Sequence, residues 1–365
     1  MKLTLNSKQL LNAMAIASKG INPNVVIPIL ENFLFDISPE SLSISGSNQE
    51  GYICKTIACT ADGSLKIAMP KEVYEQVKLL PEQPLIFEID NLQVTIKSAG
   101  GVYKLSAEDG NDFPGIKNTA KSELQIDGKS FQSALSKTAF CVLNNSVPTP
   151  FDGLDISLTP GQMTLTAYGN NTLSTQSITY NGEITKDILL TKKTVDILQT
   201  TEFGESIEVK FDKNSVDFII DDTLFIRSVL LDMKFPDFKQ NVTLDQDKCL
   251  VIDADVLRRA CEVTRVMANK YSFLIGLFLS QKGSLVKATD KDFGRDAKEE
   301  IDGDYSGGDF VIGVNGNFMI TALSKLSGVV YLYFSESTKP IFIREQADNS
   351  ELTNLILVMP VNIEI

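Results

Sequence analysis

The chain has 365 residues, with 34 Lys and Arg against 47 Asp and Glu, a formal charge of −13, and no histidine. With 43% hydrophobic residues and a mean hydropathy of +0.02, it can bury a real core, and at about 150 residues per domain it suggests two or three domains. The missing histidine excludes Ser-His-Asp and Cys-His chemistry and any His-ligated metal, and neither G-x-x-x-x-G-K-[ST] nor G-x-G-x-x-G occurs.

In chain order, Met1-Lys2-Leu3-Thr4-Leu5 starts on strand alternation and lacks the zones of a signal peptide, so the cytoplasm is the expected compartment. Leu10, Ala13, Met14 and Ala17 at helical spacing predict a helix over 7–19, with Lys8, Asn12, Ala15 and Lys19 on its other side. Leu42-Ser43-Ile44-Ser45 reads as a strand. Val73, Val77 and Leu80 give the inner face of a helix over 70–80, with Lys71, Glu75 and Lys78 outside. Asp112-Phe113-Pro114-Gly115 closes this stretch.

The pattern then begins again. Leu124 and Ile126 alternate before a helix over 128–141, which packs on Phe131, Ala134, Leu135 and Thr138 and leaves Lys129, Ser133 and Ser136 outside. Met163-Thr164-Leu165-Thr166, a helix over 191–200 and Lys234-Phe235-Pro236-Asp237 follow. In the third round, Leu250 and Ile252 precede a helix over 253–267 with Leu257, Ala260, Cys261 and Thr264 inward and Arg258, Glu262 and Arg265 opposite. A helix over 315–326, the strand Val330-Tyr331-Leu332-Tyr333-Phe334 and a buried strand over 352–361, ending Val358-Met359-Pro360-Val361, complete the chain.

Pro114, Pro236 and Pro360 thus recur at a period of roughly 120 residues, too long for a solenoid and suited to three homologous domains over 1–120, 121–244 and 245–365. Each reads as two helices on antiparallel strands, an α+β unit and not a parallel βαβ one. Cys54, Cys59, Cys141, Cys249 and Cys261 form no C-x-x-C pair and read as reduced core thiols, with no metal and no cofactor expected. The acidic pairs Asp221-Asp222 and Glu299-Glu300 read as solvated turns or rims and give catalysis no foothold.

The charge is sorted. Although the whole chain is acidic, its helices carry more bases than acids: Lys8, Lys19, Lys71, Lys78, Lys129, Lys137, Lys192, Lys193, Arg258, Arg265 and Lys325. For one helix a solvated face explains this; six helices of which four are net positive and none net negative, in an acidic chain, point to phosphate contact without base readout, salt-dependent and free to slide.

Ile27-Pro28-Ile29-Leu30 with Asn32, the three Phe/Met-Pro repeat ends, Lys339-Pro340-Ile341-Phe342-Ile343 and Leu357-Val358-Met359-Pro360 stand in one order over the whole chain. In this the sequence resembles the beta subunit of bacterial DNA polymerase III, the processivity clamp family. The resemblance implies three repeated clamp domains forming half of a ring, helices lining the hole, and a head-to-tail homodimer around non-specific duplex DNA. It implies no enzyme activity, and as partners the polymerase alpha subunit, clamp-loader subunits and other proteins bearing a clamp-binding motif, with no membrane. The dimer junction would use Tyr103 and Leu105 against Val266 and Met267. A hydrophobic client groove between the second and third domains would be lined by Phe151, Tyr168, Asn170, Asn171, Thr172, Leu173, Pro236, Gln240, Asn241, Tyr271, Pro340, Val358, Met359, Pro360 and Val361. The chain departs from the family pattern at Tyr168-Gly169-Asn170-Asn171-Thr172, at Asn24, where the family carries a base, and in its tail, Val361-Asn362-Ile363-Glu364-Ile365. Two other readings stay open: a carboxylate-dependent hydrolase on a repeated scaffold, and a clamp-fold paralogue with altered client specificity.

Overall fold

The computed structural model describes residues 1–21, 27–48, 51–115, 122–145, 149–169, 171–238, 242, 245–347 and 352–363. Its local logic sits at the strand-to-helix junctions, where a polar residue ends a strand and caps the next helix. The Asn6 side-chain oxygen Oδ1 accepts from the Lys8 N–H at 2.8 Å and opens α1 (Ser7–Ala17). Helix α2 spans Glu72–Lys78 and α3 spans Gly128–Thr138. Thr191 caps α4 (Lys192–Gln199) through the Thr194 N–H at 3.2 Å. Asp253 caps α5 (Ala254–Arg265) through the Asp255 N–H at 3.0 Å, and Asn315 caps α6 (Gly316–Leu323) through the Asn317 N–H at 2.9 Å. Each cap satisfies an amide that the first helical turn leaves without an internal partner.

The chain divides into two compact units. The first comprises Met1–Lys129 and Thr201–Leu230. Its larger sheet has nine strands in the spatial order Glu108–Asp109, Leu65–Met69, Phe33–Ile37, Ser41–Ser47, Gly51–Ala58, Leu224–Val229, Ser215–Ile220, Ser206–Phe211 and Ser122–Asp127. A five-stranded sheet runs Thr60–Ala61, Lys2–Asn6, Pro84–Asp90, Gln93–Lys97, Val102–Ser106. The core holds Leu10, Ala13, Met14 and Ala17 of α1 and Val73 and Val77 of α2, the stripes expected from helical spacing.

The second unit comprises Ser130–Thr200 and Leu231–Ile365. Its nine-stranded sheet runs Lys186–Thr191, Gly153–Thr159, Gln162–Gly169, Thr172–Thr179, Leu355–Val358, Ile341–Arg344, Val329–Phe334, Lys248–Asp253, Asp304–Ser306. Its five-stranded sheet runs Arg295–Ile301, Ser284–Asp290, Leu274–Leu279, Phe310–Asn315, Pro360–Val361. Leu257, Ala260 and Cys261 of α5 and Met319, Ala322 and Leu323 of α6 pack into one core with strands of both sheets. Every side chain of this kind taken fully out of water is worth about 1.5–3 kcal/mol. The strand pairings are antiparallel, so the fold is α+β.

Two expectations need correction. The strand over 352–361 is not continuous: Leu355–Val358 belongs to the nine-stranded sheet, and Pro360–Val361 lies opposite Gly313 and Val314 in the five-stranded one. Proline lacks an N–H for the ladder and sits at the start of an edge strand, which is where the chain changes sheets. The five cysteines are not all core thiols. Cys141 and Cys261 are buried, and burial pushes both thiols up to about 12, but Cys54, Cys59 and Cys249 are only half-buried. Asp221 and Asp222 do form an exposed turn, both at positive φ (51° and 54°), and Glu299 and Glu300 are exposed on an edge strand.

Candidate peptide groove and helix-borne charges

In the second unit, strand Thr172–Thr179 pairs with Leu355–Val358, setting Thr172 opposite Val358 and Leu173 opposite Leu357. On the other side of that strand Ile341 faces Val358. One face of this three-strand junction is apolar. Leu173, Phe342, Leu355 and Leu357 are buried in a cluster, and Tyr168, Phe238, Val242, Tyr333, Leu352 and Met359 lie half-buried against it. Tyr168 is registered opposite Leu173, and its ring meets Phe151 edge to face, centroids 5.2 Å apart at 63°. Asn171 takes a left-handed φ of 59° in the tight turn before the strand, and its carbonyl accepts the Met359 N–H at 2.8 Å. That bond fixes the tail at the residue where it leaves the sheet.

The groove residues named from the resemblance therefore divide. Phe151, Tyr168, Pro340, Met359, Pro360 and Val361 are partly exposed and Asn171 is exposed, so a ligand can reach them. Val358, Leu173 and Thr172 are 0%, 2% and 2% exposed and can act only as floor. The Thr172 hydroxyl already donates to the Gly169 carbonyl at 2.6 Å. Pro236 and Tyr271 sit exposed on separate loops, and Tyr271, 93% exposed, is not part of the apolar cluster. Asn170, Gln240, Asn241 and Asn24 lie outside the described residues. Sequence reasoning missed Phe238, Val242, Tyr333, Leu352 and the buried Phe342, Leu355 and Leu357. The signal was there for most of them, since Phe238 follows Phe235-Pro236-Asp237, Phe342 lies within the Lys339–Ile343 motif, Tyr333 lies in the strand over 330–334, and Leu352, Leu355 and Leu357 lie in the stretch over 352–361.

The helix-borne bases are mostly engaged by carboxylates. In the first unit Lys8 lies 3.6 Å from Glu82, Lys71 2.6 Å from Glu31 and Lys78 2.9 Å from Glu75, with the Lys78 ammonium also 4.0 Å above the Tyr74 ring. In the second, Lys137 pairs with Glu345, Lys192 with Asp196, and Arg258 with both Asp255 at 2.8 Å and Glu262 at 2.7 Å. Arg265 donates to the Asn317 side chain at 2.8 Å, tying the end of α5 to the start of α6. Lys19 and Lys193 have interactions of their own. Among the described residues no carboxylate lies within ion-pair distance of Lys129 or Lys325. The Lys137–Glu345 pair borders a polar cavity of about 340 Å³ shared with Gln176, Arg344, Thr353 and Asn354.

Among the described residues, one outermost strand of each smaller sheet bears on the dimer junction expected from the resemblance. Tyr103 and Leu105 lie half-buried on Val102–Ser106, the outermost strand of the first unit's smaller sheet, where Val102 is 60% exposed. Arg295–Ile301 is outermost in the second unit's smaller sheet, and Val266 and Met267, 65% and 41% exposed, follow α5. An open edge beside exposed apolar side chains is a template for strand addition.

Two family models match the chain: the DNA polymerase III beta subunit N-terminal domain over residues 1–117 and its C-terminal domain over residues 242–360. The chain belongs to the DNA polymerase III beta-subunit family. It is 20% identical to the beta sliding clamp of Salmonella typhimurium over 371 residues, covering all of both chains. Its identity to the beta sliding clamp of Pseudomonas aeruginosa is 22%, over 98% of this chain and all of that one. Solved sliding clamps from Pseudomonas aeruginosa (TM-score 0.91, 20% identity) and Bacillus subtilis (TM-score 0.90, 19% identity) share the fold over the full length of both chains. In this beta-subunit chain Phe151, Tyr168 and the strand Thr172–Thr179 fall between the two matched stretches, whereas Pro340 and Val358 to Pro360 fall inside the second.

Proposed function

We propose that the chain is the protomer of a sliding clamp: three domains over 1–120, 121–244 and 245–365, two chains joined head to tail into a ring, duplex DNA passing through it without sequence preference. It is a processivity factor and not an enzyme, and it tethers the replicative polymerase, the clamp loader and other clients by short peptides. The observation that carries this reading is the apolar cluster on the junction of Thr172–Thr179 with Leu355–Val358, half-exposed at Tyr168, Phe238, Val242 and Met359. It offers aliphatic walls to a client's anchor side chains, with exposed Asn171 beside them for orientation. The outermost strands Val102–Ser106 and Arg295–Ile301 support closure, since a heterologous edge-to-edge junction made twice gives a closed two-fold ring. Among the described residues no helix is long and apolar enough to cross a membrane.

Light scattering at micromolar concentration tests the dimer, and the expected mass is twice 40.1 kDa. Loading onto nicked circular DNA tests the ring: the protein should stay with the circle through gel filtration and leave once the circle is cut. A monomer, or equal retention on circular and linear DNA, contradicts the proposal.

A further inference from the structure

We propose that the chain's own carboxylates compete with DNA phosphate for the helix-borne bases, so that contact with DNA is an exchange of one anion for another. This rests on the reading of these helices as the DNA-facing surface. The pairs are not confined to one helix type. Lys71 and Lys78 are held by Glu31 and Glu75 in the first unit, and Lys137, Lys192 and Arg258 by Glu345, Asp196 and Glu262 in the second. The hydrogen bonds from Lys71 to Glu31, from Lys78 to Glu75 and from Arg258 to Asp255 and Glu262 raise the pKa of each base, so all three stay charged whichever anion they face.

Exposed pairs of this kind are weak, so phosphate displaces the carboxylate at little cost. The exchange nevertheless changes the ion balance. A free lysine that meets a phosphate releases one condensed cation from DNA, which gives a slope of about −0.9 in log K against log salt for each contact. A lysine taken from a carboxylate leaves that carboxylate to gather a cation of its own, and the net release shrinks. The surface then holds DNA loosely over a wide range of salt, with the bases kept in place by the acids when DNA is absent. Lys137 and Glu345 are held hardest, with side chains 18% and 33% exposed, and they join residues far apart in sequence. Arg258 is next, held by two carboxylates.

The test uses the full chain and a fluorescent duplex, titrated by anisotropy at several salt concentrations. One variant turns the acids into amides: Glu31→Gln, Glu75→Gln, Asp196→Asn, Glu262→Gln and Glu345→Gln. A charge-matched control does the same at five exposed acids outside the pairs, Glu40, Asp90, Glu183, Asp222 and Glu299. A third variant replaces Lys71, Lys78, Lys137, Lys192 and Arg258 by Ala. The amide variant should bind several-fold tighter than wild type at low salt, with the slope steeper by up to about 0.9 for each of the freed lysines, Arg258 keeping Asp255. The control should gain much less, and Glu345→Gln alone should give the largest single-site gain. If the amide variant and the control behave alike while the Ala variant binds more weakly, the exchange is overturned and the DNA-facing reading stands. If the Ala variant binds as wild type does, that reading falls and the exchange with it.

Discussion

Each unit contains a seam where a strand from the chain's middle third meets a strand from one end, and the two seams are chemically opposite. In the first, Gly51–Ala58 pairs with Leu224–Val229 and sets Tyr52 opposite Arg227. Arg227 forks onto the buried carboxylate of Asp217, and the Tyr52 hydroxyl donates to Ser45 at 2.7 Å. Burial pushes that phenol up to about 12, so it stays a neutral donor throughout the working range. In the second seam the corresponding facing pair is Leu173 with Leu357. One seam has spent its side chains on each other; the other presents apolar surface with half-exposed tyrosine and methionine at its rim. The same backbone junction is thus a closed joint in one unit and a half-exposed apolar face in the other.

The largest effect expected on this contrast is in the closed seam. Asp217→Ala leaves the Arg227 guanidinium buried without its carboxylate, and urea unfolding should show a loss of about 3–5 kcal/mol. Client peptides should still bind to whatever fraction is folded. A loss within error of zero would mean that the pair does not hold the first seam.

A second difference between the sheets is in their acids. Asp217 is neutralised by arginine, whereas Asp155, between Thr166 and Leu189 in the second unit's sheet, is pushed up to about 7, by burial first and by the neighbouring Asp187 second. A carboxyl raised on folding binds its proton more tightly in the native state. Its favourable contribution is full below the unfolded pKa near 4 and is lost as pH rises through about 7. Wild-type stability should therefore fall between pH 4.5 and 8 by an amount on the order of 3 kcal/mol that Asp155→Asn removes. Parallel melting profiles for the two proteins would contradict it. The smallest effect is at the rim. Tyr168→Thr deletes the edge-to-face contact with Phe151, worth about 0.5–1.5 kcal/mol. It should shift client affinity by no more than about tenfold, with the direction depending on whether the client anchor is aromatic or aliphatic.

Much of this was legible in the sequence. The stripes Leu10-Ala13-Met14-Ala17 and Leu257-Ala260-Cys261-Thr264 are buried as their spacing required, because a 3.6-residue period can bury only one face. The repeat end at Pro360 marked the point where the chain passes from one sheet to the other. The partition of the groove into floor and rim was not legible, since Val358 and Met359 are adjacent apolar residues whose exposure is decided by a change of sheet between them. Nor could spacing show that Lys137 meets Glu345 across 208 residues of chain, a contact made only by the fold. The polarity of the first seam was hidden for the same reason, because Tyr52, Arg227 and Asp217 are neighbours only through strand register.

The central claim is that the second seam, and not the first, receives client peptides. The most direct measurement is fluorescence anisotropy with a labelled peptide bearing a Gln and one or two Leu or Phe anchors, against wild type, Met359→Asp and Phe225→Ala. Wild type should bind at micromolar affinity, roughly −8 kcal/mol. Met359→Asp puts an unpaired charge on the half-buried rim of the second seam and should weaken binding by about a hundredfold while the fold survives. Phe225→Ala, which strips the aromatic partner of Tyr52 from the first seam, should leave the affinity unchanged. Unaltered binding in Met359→Asp, or loss in Phe225→Ala alone, would place the client site elsewhere and contradict the account.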